Sequence, residues 1–304
     1  MAFPATVIGA LRLFLPEFLE AHPFLPAHQR RAIRAITQCR TAALGGRLFA
    51  CQRFGQRHFA FHSCNHKACP QCGREATRAW VQRELAKRLD APYFLVTFTL
   101  PAQLRSCFFG PQAKEAFDLF FAAVSAALSE KLATDKGLKA KVSGFTAALH
   151  TWNQRLLAHP HIHCLVPGAG INARGQPVRV KNPKFLVYLS HLRAAFRQQM
   201  RRLLGQKGWQ VDPAVWNLDW GVHIRPVGSG QSAIKYLGNY VARTALSDSR
   251  IQCVTKDSVT FRWRDRANHN RVASLPFDLH PERHSALKVL EKFLCLALPQ
   301  TQAP

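Results

Sequence analysis

The sequence predicts an α+β fold, a central antiparallel sheet flanked by helices, preceded by a small cysteine-rich module. Aromatic and β-branched runs alternate with amphipathic helical stretches between residues 90 and 275. Some of these runs lie close enough in sequence to pair as hairpins. Four cysteines also crowd into residues 51–72, a stretch too polar to build a core of its own.

Residues 5–40 read as two helices, the second (27–39) carrying Arg30, Arg31 and Arg34. From Gly45 to Gly73 the chain is short-patterned and rich in cysteine. Helical periodicity returns over 74–90, with Trp80, Leu85 and Leu89 on one side and arginines on the other. Pro92 opens YFLVTFTLP, the pattern of a buried central strand ending at Pro101. Residues 113–132 form an amphipathic helix, and 145–154 with 161–166 form a hairpin across a short basic connection. A basic helix (186–204), a strand (218–226) and another helix (229–245) follow. A second hairpin (251–254 with 258–263) turns at Lys256-Asp257, and a last helix spans 281–298. The expected domains are a helical and cysteine-rich region (1–90), the sheet domain (91–275) and a helical tail (276–304).

Charge points to the partner. Forty-two Lys+Arg against 17 Asp+Glu in 304 residues give a formal charge of +25, spread along the whole length. Such a chain repels itself when compact, so a large polyanion is its natural partner. No run approaches the roughly 18 apolar residues of a membrane span. Pro16, Glu17 and Glu20 interrupt the N-terminal apolar residues, unlike a signal peptide. A cytosolic chain working near DNA keeps its cysteines reduced, so clustered ones imply metal.

Cys64, Cys69 and Cys72 lie within CNHKACPQC, where a Cys-x-x-Cys turn lets two thiolates meet one tetrahedral Zn²⁺. Cys51 is the first choice for the fourth ligand; His58, His62 and His66 compete, and Cys39 lies further off.

HPHIHCLVP places His161 and His163 two apart, so on a strand both imidazoles share one face and Ile162 takes the other. His159 and His161 bracket Pro160, which suits the strand entrance, so the later pair is preferred. Gln154 ends the partner strand, where its amide oxygen could be a third ligand. Oxygen with imidazole suits Mg²⁺ or Mn²⁺ bridging a phosphate.

KYLGNYVAR stacks Tyr236 and Tyr240 on one helix face, flanked by Lys235 and Arg243. Such a pair can pack the helix on the sheet. It can also supply a nucleophile once a metal and nearby cations polarise a phosphodiester. A phosphotyrosine keeps that step reversible, so a 3′-hydroxyl can rejoin the strand without ATP.

Taken in order, these motifs resemble the two-tyrosine HUH transposases of bacterial insertion sequences, elements associated with rolling-circle transposition. The resemblance rests on CRTAALGG (39–46), CPQC (69–72), VTFTLP (96–101), HTWNQRLLAHPHIHCLVPG (150–168), YLGNYVAR (236–243) and the hairpin after Arg250-Ile251. It implies an HUH endonuclease fold, His161 and His163 as metal ligands, Gln154 as the third, and Tyr236 and Tyr240 as nucleophiles. It also implies a bacterial cytoplasmic protein at the nucleoid. Two departures stand out: Phe54 three residues after Cys51, where a second Cys-x-x-Cys is usual, and Ala68 where a histidine is common.

The partner expected from these features is DNA, mainly the single-stranded or hairpin ends of the protein's own element. Arg193, Arg197, Arg201, Arg202, Arg225, Arg262, Arg264 and Arg266 could contact phosphates, with Trp220 and Trp263 stacking bases across the metal-bearing face. A rolling-circle initiator or relaxase would share the chemistry, but no G-x-x-x-x-G-K-[ST] loop accompanies it. A non-catalytic zinc-dependent DNA-binding protein would form no covalent adduct.

Overall fold

The computed structural model describes residues 4–25, 27–66, 69–108, 112–153, 155–241, 246–256, 258–265 and 271–278. These fall into two compact units, one drawn from Met1–Ala79, Asn153–Leu157 and Ala242–Leu298, the other from Trp80–Trp152 and Ala158–Val241.

In the first unit, α1 (Val7–Ala21) begins where the Thr6 hydroxyl accepts from the Gly9 N–H at 3.0 Å, an N-cap. Leu11, Phe14 and Phe18 of α1, and Ala32 and Ile36 of α2 (Ala27–Gln38), are buried at helical spacing. β1 (Gly46–Ala50) and β2 (Arg57–Phe61) then pair antiparallel, from Gly46↔Phe61 to Ala50↔Arg57. Sequence periodicity did not reveal this ribbon, because both its faces are exposed and it has no alternation to show. α3 (Gly73–Ala86) follows Cys72, and from Trp80 onward it belongs to the second unit.

The second unit is built on β3 (Tyr93–Thr99), α4 (Ala113–Thr134), β4 (Thr146–Trp152) and β5 (Ala158–Pro167). A small hairpin of β6 (Ala169–Ile171) and β7 (Pro177–Arg179) follows, then α5 (Leu189–Gln206), β8 (Gly221–Pro226) and α6 (Gln231–Val241). The sheet order is β4-β5-β3-β8, every neighbour antiparallel. The YFLVTF run is buried and central because both faces of β3 are covered.

Directly opposed residues share a face, so register sorts the sheet. Phe94, Val96 and Phe98 lie with Ile162, Cys164, Val166 and Val222 on one face. That face receives the aromatic rings of α4 and α5, with Phe98 5.0 Å from Phe196 and Phe120 5.8 Å from Phe196 between centroids. Each such ring contributes about 1.5–3 kcal/mol on burial, so this side carries much of the unit's stability. The buried Asp135 carboxylate ties α5 down, accepting from the Tyr188 N–H at 2.8 Å and lying 3.1 Å from His191 Nδ1. The strand expected over 218–226 starts only at Gly221. Before it, Asp212 caps a short 3₁₀ turn (Pro213–Asn217), and the buried Trp220 indole donates to the Val215 carbonyl at 3.1 Å.

The opposite face is apolar at one end only. There Tyr93, Leu95, Ala148 and Leu165 pack with Trp80 of α3 and with Ala233, Ile234 and Leu237 of α6. The other end carries histidines and threonines.

The first unit resumes with β9 (Ile251–Val254), β10 (Ser258–Asp265) and β11 (Arg271–Asp278), in the order β11-β10-β9. The β9–β10 hairpin is the expected one. β11 was not expected; Pro276 breaks its pattern and is tolerated because β11 is an edge strand. The helix expected at 281–298 lies outside the described residues. Among the described residues no helix is long and apolar enough to cross a membrane.

Candidate metal centre

β4, β5 and β3 place three histidines on one sheet face. His161 stands opposite Thr99 on β3 and opposite His150 on β4, while His163 stands opposite Thr97 and Ala148. Ile162 points to the aromatic face and is fully buried, as the two-residue period requires. The ring nitrogens that His150, His161 and His163 can offer a metal all lie within 4.8 Å of one another.

Hydrogen bonds fix how the rings present themselves. His161 Nδ1 donates to the His159 carbonyl at 2.7 Å, which leaves Nε2 as the lone-pair nitrogen. His163 Nδ1 is 2.8 Å from the Thr97 hydroxyl, a contact that holds the ring in place. His150 Nδ1 approaches His161 Nε2 at 3.1 Å. Burial, then the neighbouring His163 and His161, push the His150 pKa well below the usual imidazole value. A neutral, closely set imidazole cluster is the state that accepts a divalent ion.

His150 was not singled out in the sequence. Its signal was there in the hairpin, where it falls directly opposite His161, but an irregularity between His150 and Trp152 sets that register. Gln154, the expected third ligand, lies outside the described residues. Three imidazoles by themselves are a softer donor set than oxygen ligands and would favour Mn²⁺ over Mg²⁺.

The tyrosine helix borders this cluster. Tyr236 on α6 is half-buried at the edge of the apolar patch, its ring centroid 5.9 Å from that of His163 at 77°. Gly230, at φ 76°, lets the chain enter α6 close to the Tyr93 ring. Gly238 lets α6 approach α3: a Cβ there would collide with Val81 and lie 3.4 Å from the Trp80 ring. Lys235 is exposed. The Tyr240 side chain and all of Arg243 lie outside the described residues.

The expected DNA track needs correction. α5 packs through Phe196 on the face opposite the histidines, so Arg197 and Arg201 do not border the metal. Arg201 lies over the Trp216 ring at 6.0 Å, and Arg193 pairs with Asp219 at 3.0 Å. Trp220 is 1% exposed and cannot stack on a base. Among the described strand residues, the exposed polar groups on the histidine-bearing face are His223, in the row of Thr97 and His163, and Arg225, in the row of Leu95 and Leu165. Arg264 is exposed on β10, and Trp263 is half-buried beneath Arg155, 5.3 Å away.

A second cluster joins Cys39, Cys64, Cys69 and Cys72, whose sulfurs lie within 4.8 Å of one another. Cys39 Sγ is 3.5 Å and Cys64 Sγ 3.7 Å from Cys72 Sγ, and the His66 N–H donates to Cys64 Sγ at 3.5 Å. Cys51 was the expected fourth ligand, but Cys39 takes that corner. Cys51 follows the last residue of β1 and is exposed at the far end of the ribbon. Five strand pairs separate it from the base, about 17 Å at the usual rise. Burial pushes the Cys64 thiol up to about 11 and the Cys69 thiol further. At Cys72 burial also raises the pKa, but hydrogen bonds from Cys39, Asn65, Cys64 and Cys69 outweigh it and hold the thiol below its ordinary value. Four converging sulfurs in a tight polar segment fit one tetrahedral Zn²⁺.

Comparison with known proteins gives consistent matches. A family model described as "Putative transposase" matches residues 144–302, and one described as "Transposase zinc-binding domain" matches residues 10–100. "Putative transposase y4qJ" of Sinorhizobium fredii is 35% identical over 97% of this chain and 77% of its own length. The "Transposase for insertion sequence element IS801" of Pseudomonas savastanoi pv. phaseolicola is 26% identical over 76% of this chain and 59% of its own. Among solved structures, TrwC complexed with a 27-mer DNA is 16% identical, with a TM-score of 0.34 over 39% of this chain and 46% of that one.

Proposed function

From the premise that the chain belongs to the IS91 family of Y2 transposases with an N-terminal zinc-binding domain, we infer that it cuts and rejoins single-stranded DNA through a tyrosine–phosphate bond. The observation that carries the reading is the Tyr236 ring 5.9 Å from His163, within a cluster of three imidazoles.

His150, His161 and His163 would hold a divalent ion, which supplies electrostatic stabilisation for the charge that develops on the scissile phosphate. The Tyr236 hydroxyl attacks phosphorus, and its proton leaves to solvent. The new Tyr O–P bond forms as the P–O3′ bond breaks, giving a 5′-phosphotyrosine and a 3′-oxygen that takes up a proton. Attack by a 3′-hydroxyl reverses the step, releases the tyrosine and joins two strands without an external energy source. Thr97 and the His159 carbonyl orient the imidazoles. The apolar packing of α6 holds Tyr236 at their edge. Tyr240, one turn further along α6, is the second nucleophile, which lets one tyrosine hold a 5′ end while the other opens a second phosphodiester. Lys235 and Arg243 flank the pair as cations for the DNA strand.

The test is incubation with single-stranded oligonucleotides from element ends and Mn²⁺. A covalent protein–DNA band on a denaturing gel supports the reading, provided it is lost in the Tyr236→Phe, Tyr240→Phe double variant. A band that survives both substitutions rejects these nucleophiles.

A further inference from the structure

The β1–β2 ribbon is unusual for a small reduced module. Of the five exposed phenylalanines among the described residues, four lie between Gly46 and Phe61: Phe49, Phe54, Phe59 and Phe61. Register puts Leu48, Phe59 and Phe61 on one face, and Arg47, Phe49 and His58 on the other. Phe54 is 68% exposed at the tip, with the Arg53 guanidinium 5.2 Å above its ring. A two-stranded ribbon is marginal by itself, and one with apolar rings outward on both faces buries nothing by showing them.

The base of the ribbon is fixed, so these rings are presented rather than loose. Cys39 and Cys64 lie before and after it in the four-sulfur cluster. The Arg40 N–H donates to the His62 carbonyl at 3.1 Å, and the His62 N–H to the Gly45 carbonyl at 3.0 Å. Charge selects the partner. No Asp or Glu occurs between Glu20 and Glu75, while Arg47, Arg53 and Arg57 sit on the ribbon itself. A second copy would bring the same charges together, whereas a polyanion neutralises them.

Aromatic rings gain from base faces, which are open only where nucleotides are unpaired; a duplex groove offers polar base edges instead. We propose that the β1–β2 ribbon is a stacking arm that grips unpaired nucleotides of the DNA between its outward phenylalanines and arginines. This rests on the transposase reading above.

The test uses the full zinc-loaded chain carrying Tyr236→Phe and Tyr240→Phe, so that binding is read without cleavage. Fluorescence anisotropy compares a labelled oligo-dT strand with a blunt duplex of equal length. The Phe49→Ala, Phe54→Ala, Phe59→Ala variant is expected to lose about tenfold or more in oligo-dT affinity, with duplex affinity changed less than about twofold. Tyrosine at the three positions keeps the affinity and leucine does not, since the interaction needs a π face. Phe54→Ala alone, away from the cysteines, gives a smaller loss in the same direction with zinc content unchanged. Unchanged oligo-dT affinity, equal losses on both DNAs, or full function with leucine overturns the proposal. So does a parent dimer that the alanine variant dissociates in sedimentation, which would assign the surface to a second copy. A parent that binds neither DNA overturns the transposase reading itself, an outcome distinct from those.

Discussion

His150 and His161 face each other across neighbouring strands, with Nδ1 of the first 3.1 Å from Nε2 of the second. Two imidazoles that close, beside His163 in a largely buried site, gain most from sharing a cation. His150→Ala should therefore depress Mn²⁺-dependent adduct formation as severely as His161→Ala, by more than about 100-fold. His159→Ala should leave the rate within about fivefold, because its carbonyl rather than its ring orients His161. Calorimetric Mn²⁺ titration with circular dichroism separates lost metal binding from unfolding. Undiminished Mn²⁺ affinity in His150→Ala would remove that residue from the site.

The Thr97 hydroxyl lies 2.8 Å from His163 Nδ1 and shares the sheet face with it. Thr97→Val keeps the shape and removes the partner, so Mn²⁺ affinity should fall about 10- to 100-fold, and Thr97→Ser should restore it. Equal affinities for threonine and valine would show that packing alone sets the ring.

A donor set of three imidazoles distinguishes among metals. Adduct formation should saturate at a lower concentration of Mn²⁺ than of Mg²⁺, by about tenfold or more, because Mg²⁺ prefers oxygen ligands and sheds water reluctantly. Equal half-saturating concentrations would point to an oxygen ligand joining the histidines.

What sequence revealed and what it hid divide along a physical line. β3 was legible because a buried central strand needs an unbroken apolar and β-branched run, which YFLVTFT supplies. His161 and His163 were legible because their shared face follows from spacing within one strand. His150 was not, because its place depends on the register between two strands, and the irregularity before Trp152 leaves no mark in the residues. Spacing ranks Cys51 above Cys39 for the same reason: the Cys39 sulfur meets the others through the return of an intervening ribbon, so the nearer cysteine in sequence is the farther one in space. Charge singles out the arginines of α5, but charge does not say which side of a sheet a helix covers.

The zinc assignment has a clean discriminator. Cys39→Ser should lose stoichiometric zinc and destabilise the N-terminal module, since metal binding of order 10 kcal/mol is folding energy in such segments. Cys51→Ser should keep both its zinc and its melting temperature, because that thiol is exposed at the ribbon's far end. Elemental analysis of purified protein reads the difference, and the reverse pattern would return the fourth corner to Cys51.

Gly238 offers a test in which two effects oppose each other. In a free helix, Gly→Ala stabilises by about 1 kcal/mol, because alanine loses less backbone entropy. Here the added methyl would collide with Val81 and crowd the Trp80 ring, so α6 must shift or the core must strain, at about 1–3 kcal/mol. The second effect is the larger, and Gly238→Ala should lower the melting temperature. It should also slow adduct formation about tenfold or more, because Tyr236 rides on the same helix beside His163 and a displacement near 1 Å can cost about 100-fold. Mn²⁺ affinity should not change, since the three histidines belong to β4 and β5. Adding Val81→Ala makes room for the methyl and should recover part of the rate. A faster or more stable single variant would mean that the contact between α3 and α6 does not set the position of the tyrosine.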